Sequence, residues 1–222
     1  MAALVCPTKP YPAITFVQLV QNIKMKKFLH VGCGPQNQTS IQRGFNTPDW
    51  EEVRLDIDPD VNPDVVGSIT DMEKVASGSM DAVFSSHNLE HIFPHEVPLA
   101  LAEFKRVLKP DGFVVVTCPD IQSVCAAVAE DNLLGALYVS PAGPIAPIDM
   151  LFGHRASVAG GKVYMAHKCG FTYTALAGCF LEAGFGMVGG GRRLPYFDLW
   201  LLAYKVSQPE EFIRSEAAVY LP

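Results

Sequence analysis

Residues 28–34 read Phe-Leu-His-Val-Gly-Cys-Gly, a short apolar run delivered straight into a Gly-x-Gly turn, and the next apolar run ends in an acid at Asp56. Such a run suits a buried parallel strand. At its end, Gly32 and Gly34 can take φ values closed to other residues and let backbone approach a ligand. Asp56 lies 22 residues beyond Gly34, close to the roughly 20-residue offset at which an acid on the tip of the second strand accepts hydrogen bonds from ribose hydroxyls. The pair points to a nucleoside-bearing cofactor. For an isolated Gly-x-Gly, a turn that binds nothing is the commoner explanation, so the rest of the chain has to decide.

A chain of 222 residues is long enough for one sizeable core, and a single domain over 1–222 is expected. Hydrophobic residues make up 49% and charged residues 18%, a globular balance that leaves room for an apolar face against a partner or substrate. The net charge of −6, with no basic run longer than Lys24-Met-Lys26-Lys27, argues against nucleic acid as the partner. Cysteines at 6, 33, 118, 125, 169 and 179 form no CxxC pair, which fits reduced thiols and a cytoplasmic location better than a disulfide framework or a zinc site. No leader is expected at the N-terminus. No uncharged apolar run reaches the ~18 residues of a membrane span either.

Strand-like runs alternate with helical ones. The strands are expected at 28–31, 53–57, 65–66, 82–85, 113–117, 186–188 and 199–205. Pro98 to Leu108 carries apolar residues at helical spacing, and Lys109-Pro-Asp-Gly112 after it reads as a stop and a turn. Thr172 to Ala183 reads as a second helix, with Thr172 as N-cap, Leu176, Phe180 and Leu181 on one face, and Gly184 as the closing glycine. This alternation implies an α/β fold with a mostly parallel sheet and helices on both faces. The last two strands are joined by a Gly-rich, basic link without a helix, which suits an antiparallel hairpin. Residues 126–170, broken by Pro141, Pro144 and Pro147, read as an inserted lid on the substrate side.

Four segments in order, Leu29-His-Val-Gly-Cys-Gly34, Leu55-Asp-Ile-Asp-Pro59, Ser79 to His91 and Phe104 to Gly112, resemble the class I S-adenosylmethionine-dependent methyltransferases, specifically their small bacterial type-11-like group. The resemblance runs from about residue 26 to residue 206 and implies a Rossmann-like seven-stranded sheet with an antiparallel final strand. It implies S-adenosylmethionine as methyl donor. Carried over residue by residue, the backbone of Gly32, Cys33 and Gly34 faces the methionine part, Asp56 holds the ribose, and Ile57 packs on adenine. Ser68 and Ile69 stand where the family has an acid and a small residue at the adenine edge. Serine there departs from the pattern, and Asp71 is the other option. Ser86 and His87 border the sulfonium and the acceptor. A second departure is Pro35 to Trp50, which lacks the apolar periodicity of the family's first helix and is expected to be short or looped.

Methyl transfer is an in-line displacement, so the protein must align donor and acceptor and remove a proton where the acceptor is a hydroxyl or ammonium. Candidates for the base are His87, His91 and His167, with His87 best placed at the end of the fourth strand. Were 87–95 one helix, His87, His91, His95 and Glu90 would share a face that could hold a metal, but Pro94 interrupts it and the fourth strand should end near residue 86, so no metal is expected. Asp120 is placed at the sheet's carboxyl edge, as ligand contact or helix N-cap, and Cys33 reads as packing. The acceptor is expected to be a small molecule, with O-, N- or S-methylation open. Oligomeric state is open too, a homodimer being one option. Two alternatives stand beside this reading: a non-catalytic member of the same fold that binds cofactor or a protein, and an NAD(P)-dependent dehydrogenase. The second ranks low because Asn37 occupies the position of the third fingerprint glycine.

Overall fold

The computed structural model describes residues 25–41 and 43–222; Cys6 and the N-terminal stretch considered for a leader lie outside them. The chain opens with β1 (Lys26–Val31), β2 (Trp50–Asp56), β3 (Val65–Val66) and β4 (Met80–Ser86). Helix α1 (Val97–Val107) then crosses to β5 (Leu108–Pro119), followed by α2 (Ile121–Ala129). Next come a small hairpin of β6 (Tyr138–Ser140) and β7 (Gly143–Ile145), the short helices α3 (Pro147–Phe152) and α4 (Arg155–Ala159), and α5 (Tyr173–Glu182). The described chain ends with β8 (Met187–Arg193), β9 (Asp198–Tyr204) and α6 (Glu210–Tyr220).

Seven strands form one sheet in the order β3-β2-β1-β4-β5-β9-β8. The first five are mutually parallel, and β9 runs antiparallel to both β5 and β8. This is the expected Rossmann-like sheet with its antiparallel final strand. Alternation along the strands divides the core into two layers. Leu29, Val31, Val83, Val114 and Val116 face α1 and α5 through Phe104, Leu176 and Phe180. Phe28, Phe84, Phe113 and Tyr204 face an aromatic layer of Phe45, Trp50 and Tyr220, the last of these on α6.

On that second side a loop stands in place of the first helix among the described residues, one of the two outcomes expected. The described residues of 35–49 carry one 3-10 turn (Gln38–Ser40), and the Gln38 side chain organises the loop with Nε2 2.9 Å from the carbonyls of Phe45, Thr47 and Trp50. Phe45 fills the space beneath it, fully buried against Phe28, Trp50 and Tyr220.

Three local expectations are corrected. Lys109–Gly112 is not a free turn; it belongs to β5, where the register to β4 jumps between Met80↔Leu108 and Ala82↔Phe113 and the extra residues bulge. Leu181 is exposed, because the buried stripe of α5 is Leu176 and Phe180. The Gly-rich link after residue 188 is itself strand, Gly189 to Gly191 pairing with Leu202 to Trp200, and the turn lies beyond Arg193. Residues 126–170 begin inside α2 and hold a hairpin and short helices. Thr172 caps α5 as expected, its hydroxyl accepting from the Ala175 N–H.

Candidate functional site

The carboxyl ends of β1, β2, β4 and β5 meet at one sheet edge, the edge at which open α/β sheets take ligands. On its β1–β2 half, Gly32 and Gly34 have φ of 61° and 53°, a conformation that costs other residues about 1–2 kcal/mol. A Cβ on Gly32 would come within 2.5 Å of the Asn88 amide, whereas one on Gly34 would meet nothing within 4 Å. The first glycine is demanded by packing; the second faces open space. Asp56 accepts the Gly34 N–H at 2.7 Å through Oδ2 and the Asp58 N–H at 2.9 Å through Oδ1. An ionised carboxylate offers about four lone-pair sites, so capacity remains for ribose hydroxyls. Next to it Ile57 is 59% exposed, an apolar surface without a protein partner at the place where adenine would lie. These features fit a nucleoside cofactor.

Arg54, a residue sequence reasoning missed, holds this half together. Its guanidinium donates to the carbonyls of Gly34 (2.6 Å), Gln36 (3.2 Å), Val61 (3.2 Å) and Asn62 (2.8 Å), tying the glycine loop to the loop after β2. An arginine one strand residue from Leu55-Asp56 was the available signal. Cys33 is buried, and burial pushes its thiol up to about 11; no helix N-terminus follows it, so it packs, as expected. Ser68 spends its hydroxyl on Thr70, Ile69 is buried below the turn, and Asp71 stands exposed on it.

The segment 126–170 reaches this half through Asp58. Tyr164 donates its hydroxyl to Asp58 Oδ2 at 2.5 Å and Lys162 approaches the same oxygen at 3.5 Å. The tyrosine hydrogen bond is the main reason the Asp58 carboxyl titrates below its usual range.

The β4–β5 half is built differently. Ser86 pairs with Thr117, and His87 extends the ladder by donating its N–H to the Thr117 carbonyl at 2.9 Å. His87 then turns the chain out of the sheet with φ of 48°, a conformation uncommon for a non-glycine residue. Its side chain is 45% exposed, with Nδ1 3.3 Å from Oε1 of Glu90, a carboxylate that is 1% exposed. Desolvation opposes charge on both groups, but their mutual attraction prevails: His87 titrates above the ordinary histidine value and Glu90 below the ordinary carboxylate value.

The Glu90 carbonyl accepts the N–H groups of Lys168 and Cys169, and this stitch brings His167 against His91, ring centroids 4.8 Å apart. Burial lowers the pKa of His167. The structure thus gathers His87, Glu90, His91 and His167. It leaves out His95, which is exposed and stacked on Phe93. Asp120 is an N-cap, accepting the Gln122 N–H, and is further engaged by Arg192 at 2.6 Å and by Ser123.

Among known proteins, residues 29–116 match the family model described as Methyltransferase domain. No curated protein matches the chain in sequence. The structure is similar to a SAM-dependent methyltransferase from Methanosarcina mazei (14% identity, TM-score 0.54, covering 90% of this chain and 100% of that one). It is similar too to a SAM-dependent methyltransferase from Archaeoglobus fulgidus (15%, 0.50, 85% and 90%). A third likeness is to a Burkholderia thailandensis 1,6-didemethyltoxoflavin-N1-methyltransferase, solved with 1,6-didemethyltoxoflavin and S-adenosylhomocysteine bound (16%, 0.50, 86% and 76%). The fold is thus one shared with SAM-dependent methyltransferases, and the match to the methyltransferase-domain model spans residues 29–116. Among the described residues no helix is long and apolar enough to cross a membrane.

Proposed function

We propose that the protein transfers a methyl group from S-adenosylmethionine to a small-molecule acceptor at the β1–β4–β5 edge. The observation that carries this reading is the open cradle of Gly34, Asp56 and the exposed Ile57. Asp56 binds the ribose hydroxyls, Ile57 lies under adenine, and Asp71 takes the adenine edge in place of Ser68, whose hydroxyl is engaged by Thr70. The backbone of Gly32 to Gly34 receives the methionine part, with Ser86 and His87 beside it.

When bound, S-adenosylmethionine supplies an electrophilic methyl group on its sulfonium. His87 accepts the acceptor's proton at its imidazole, and Glu90 holds the resulting imidazolium. Residues 126–170 act as the lid: Tyr164 and Lys162 fasten it to Asp58, next to the ribose acid, and exclude water from the edge. The bound small molecule of the Burkholderia protein supports the same class of acceptor here.

The test is incubation with methyl-labelled S-adenosylmethionine and pools of hydroxyl, amine and thiol acceptors. Acceptor-dependent formation of S-adenosylhomocysteine is expected, and His87→Ala should slow it about 100- to 10,000-fold while cofactor affinity is kept. Cofactor binding with no turnover in any pool would instead mark a non-catalytic member of the fold.

A further inference from the structure

Glu90 is the least satisfied group at the edge. Its side chain is 1% exposed, and neither carboxylate oxygen has a hydrogen-bond partner. Leaving such a group unpaired is costly, so a buried carboxylate of this kind wants a cation as well as the long contact from His87.

The two imidazoles beside it are oriented by backbone. His91 Nδ1 lies 3.3 Å from the Ala166 carbonyl and His167 Nδ1 lies 2.8 Å from the Met150 carbonyl. A carbonyl oxygen only accepts, so in both rings Nδ1 carries the proton and Nε2 is left with a free lone pair. A histidine whose second nitrogen is fixed on a carbonyl is the usual arrangement around a protein-bound metal. One ligand atom from each of Glu90, His91 and His167 lies within 4.8 Å of the others. Bonds of about 2.0–2.2 Å place ligand atoms some 3–4 Å apart, so closure on an ion draws the most separated pair together by at most about 2 Å.

We propose that Glu90, His91 and His167 form a binding site for a divalent first-row transition-metal ion of the zinc class. Two imidazoles and one carboxylate make a three-ligand set that leaves a position open for water or an oxygen-bearing ligand. The expectation of no metal rested on His87, His91 and His95 having to share one helix. The structure instead pairs His91 with a histidine from a distant segment, held there by the Glu90 carbonyl. Glu90 has an oxygen for the ion and another for His87. The site goes beyond the methyl-transfer reading and stands without it, since its readout is metal.

The experiment is calorimetric titration of chelator-treated full-length protein with ZnCl2, paired with thermal melts. One equivalent should bind and raise the melting temperature. Loss of outer-sphere partners alone costs metal sites about 10- to 100-fold, so His91→Ala and His167→Ala should each weaken binding by at least about 100-fold. Glu90→Gln should do the same. His95→Ala, which alters an exposed ring outside the cluster, should leave binding intact. Melts of the metal-free variants confirm that each is folded. No stoichiometric binding by the parent, or binding that survives both His91→Ala and His167→Ala, would overturn the proposal, the latter by marking zinc held adventitiously at the surface.

Discussion

The two halves of the sheet edge spend their polar groups in opposite ways. On the β1–β2 half almost everything is paired: Asp56 takes two backbone N–H groups, and Arg54 donates to four carbonyls. On the β4–β5 half, Ser85 Oγ, Asn88 Nδ2, Thr117 Oγ1 and both Glu90 oxygens are buried without hydrogen-bond partners, Glu90 having only the ion-pair contact from His87. A paired half is a rigid mould whose shape is set before any ligand arrives. An unpaired half stores unfavourable desolvation that a ligand or ion can relieve, which is how sites commonly depart from the most stable arrangement. Substitutions in the first half should therefore cost stability and cofactor affinity together, and substitutions in the second should separate the two.

The largest effect is expected at Gly32. Gly32→Ala places a Cβ against Asn88 and forces a side chain into a positive φ. It should lower stability by more than the about 1–2 kcal/mol of the backbone term alone, read as a fall in melting temperature, with S-adenosylhomocysteine affinity falling alongside. A variant as stable as the parent would break the contrast.

Thr117→Val tests the other half. It removes a buried hydroxyl with no partner while keeping the shape, so stability should hold or rise by about 1 kcal/mol. A loss of more than that in denaturant unfolding would mean the hydroxyl is satisfied after all.

Much of the first half was legible in the sequence because it is built from local, ordered signals. A glycine turn after an apolar run and an acid at a strand tip follow from chain geometry, and Gly32, Gly34, Asp56 and Ile57 fall where that geometry puts them. The second half depends on contacts between distant segments. Nothing near residue 90 announces that its carbonyl will hold residues 168 and 169, so nothing in the sequence joined Glu90 to His167, which read as a candidate base. The separation of His95 was legible, because Pro94 rules out one continuous helix. A four-residue repeat implies one helix face, but Leu89–His91 and Pro94–Glu96 form separate 3-10 turns. Arg54 escaped for a different reason: an arginine in a strand is ordinarily a solvated side chain, and only the folded loop shows four carbonyls converging on it.

A smaller effect is expected in the lid, where Asp149 is paired like the first half. Arg155 donates to it from Nε at 2.7 Å, and the Ala146 N–H adds a further bond. The guanidinium is the main reason its carboxyl is lowered to about 2 from a starting value of 3.8. Because the folded value is the lower one, the stabilisation is fully present above pH about 4 and is lost as pH falls through about 2. Asp149→Asn should flatten the stability profile across that window. An unchanged profile would place the acid sensitivity elsewhere.

The central claim is that the paired half is a cofactor mould with Asp56 as its ribose acid. Calorimetric titration of the folded parent and of Asp56→Ala with S-adenosylhomocysteine tests it most directly. Hydrogen bonds to a charged group contribute about 1.5–3 kcal/mol each, so the parent should bind and Asp56→Ala should bind at least about 100-fold more weakly. Equal affinity in the two proteins would contradict the account.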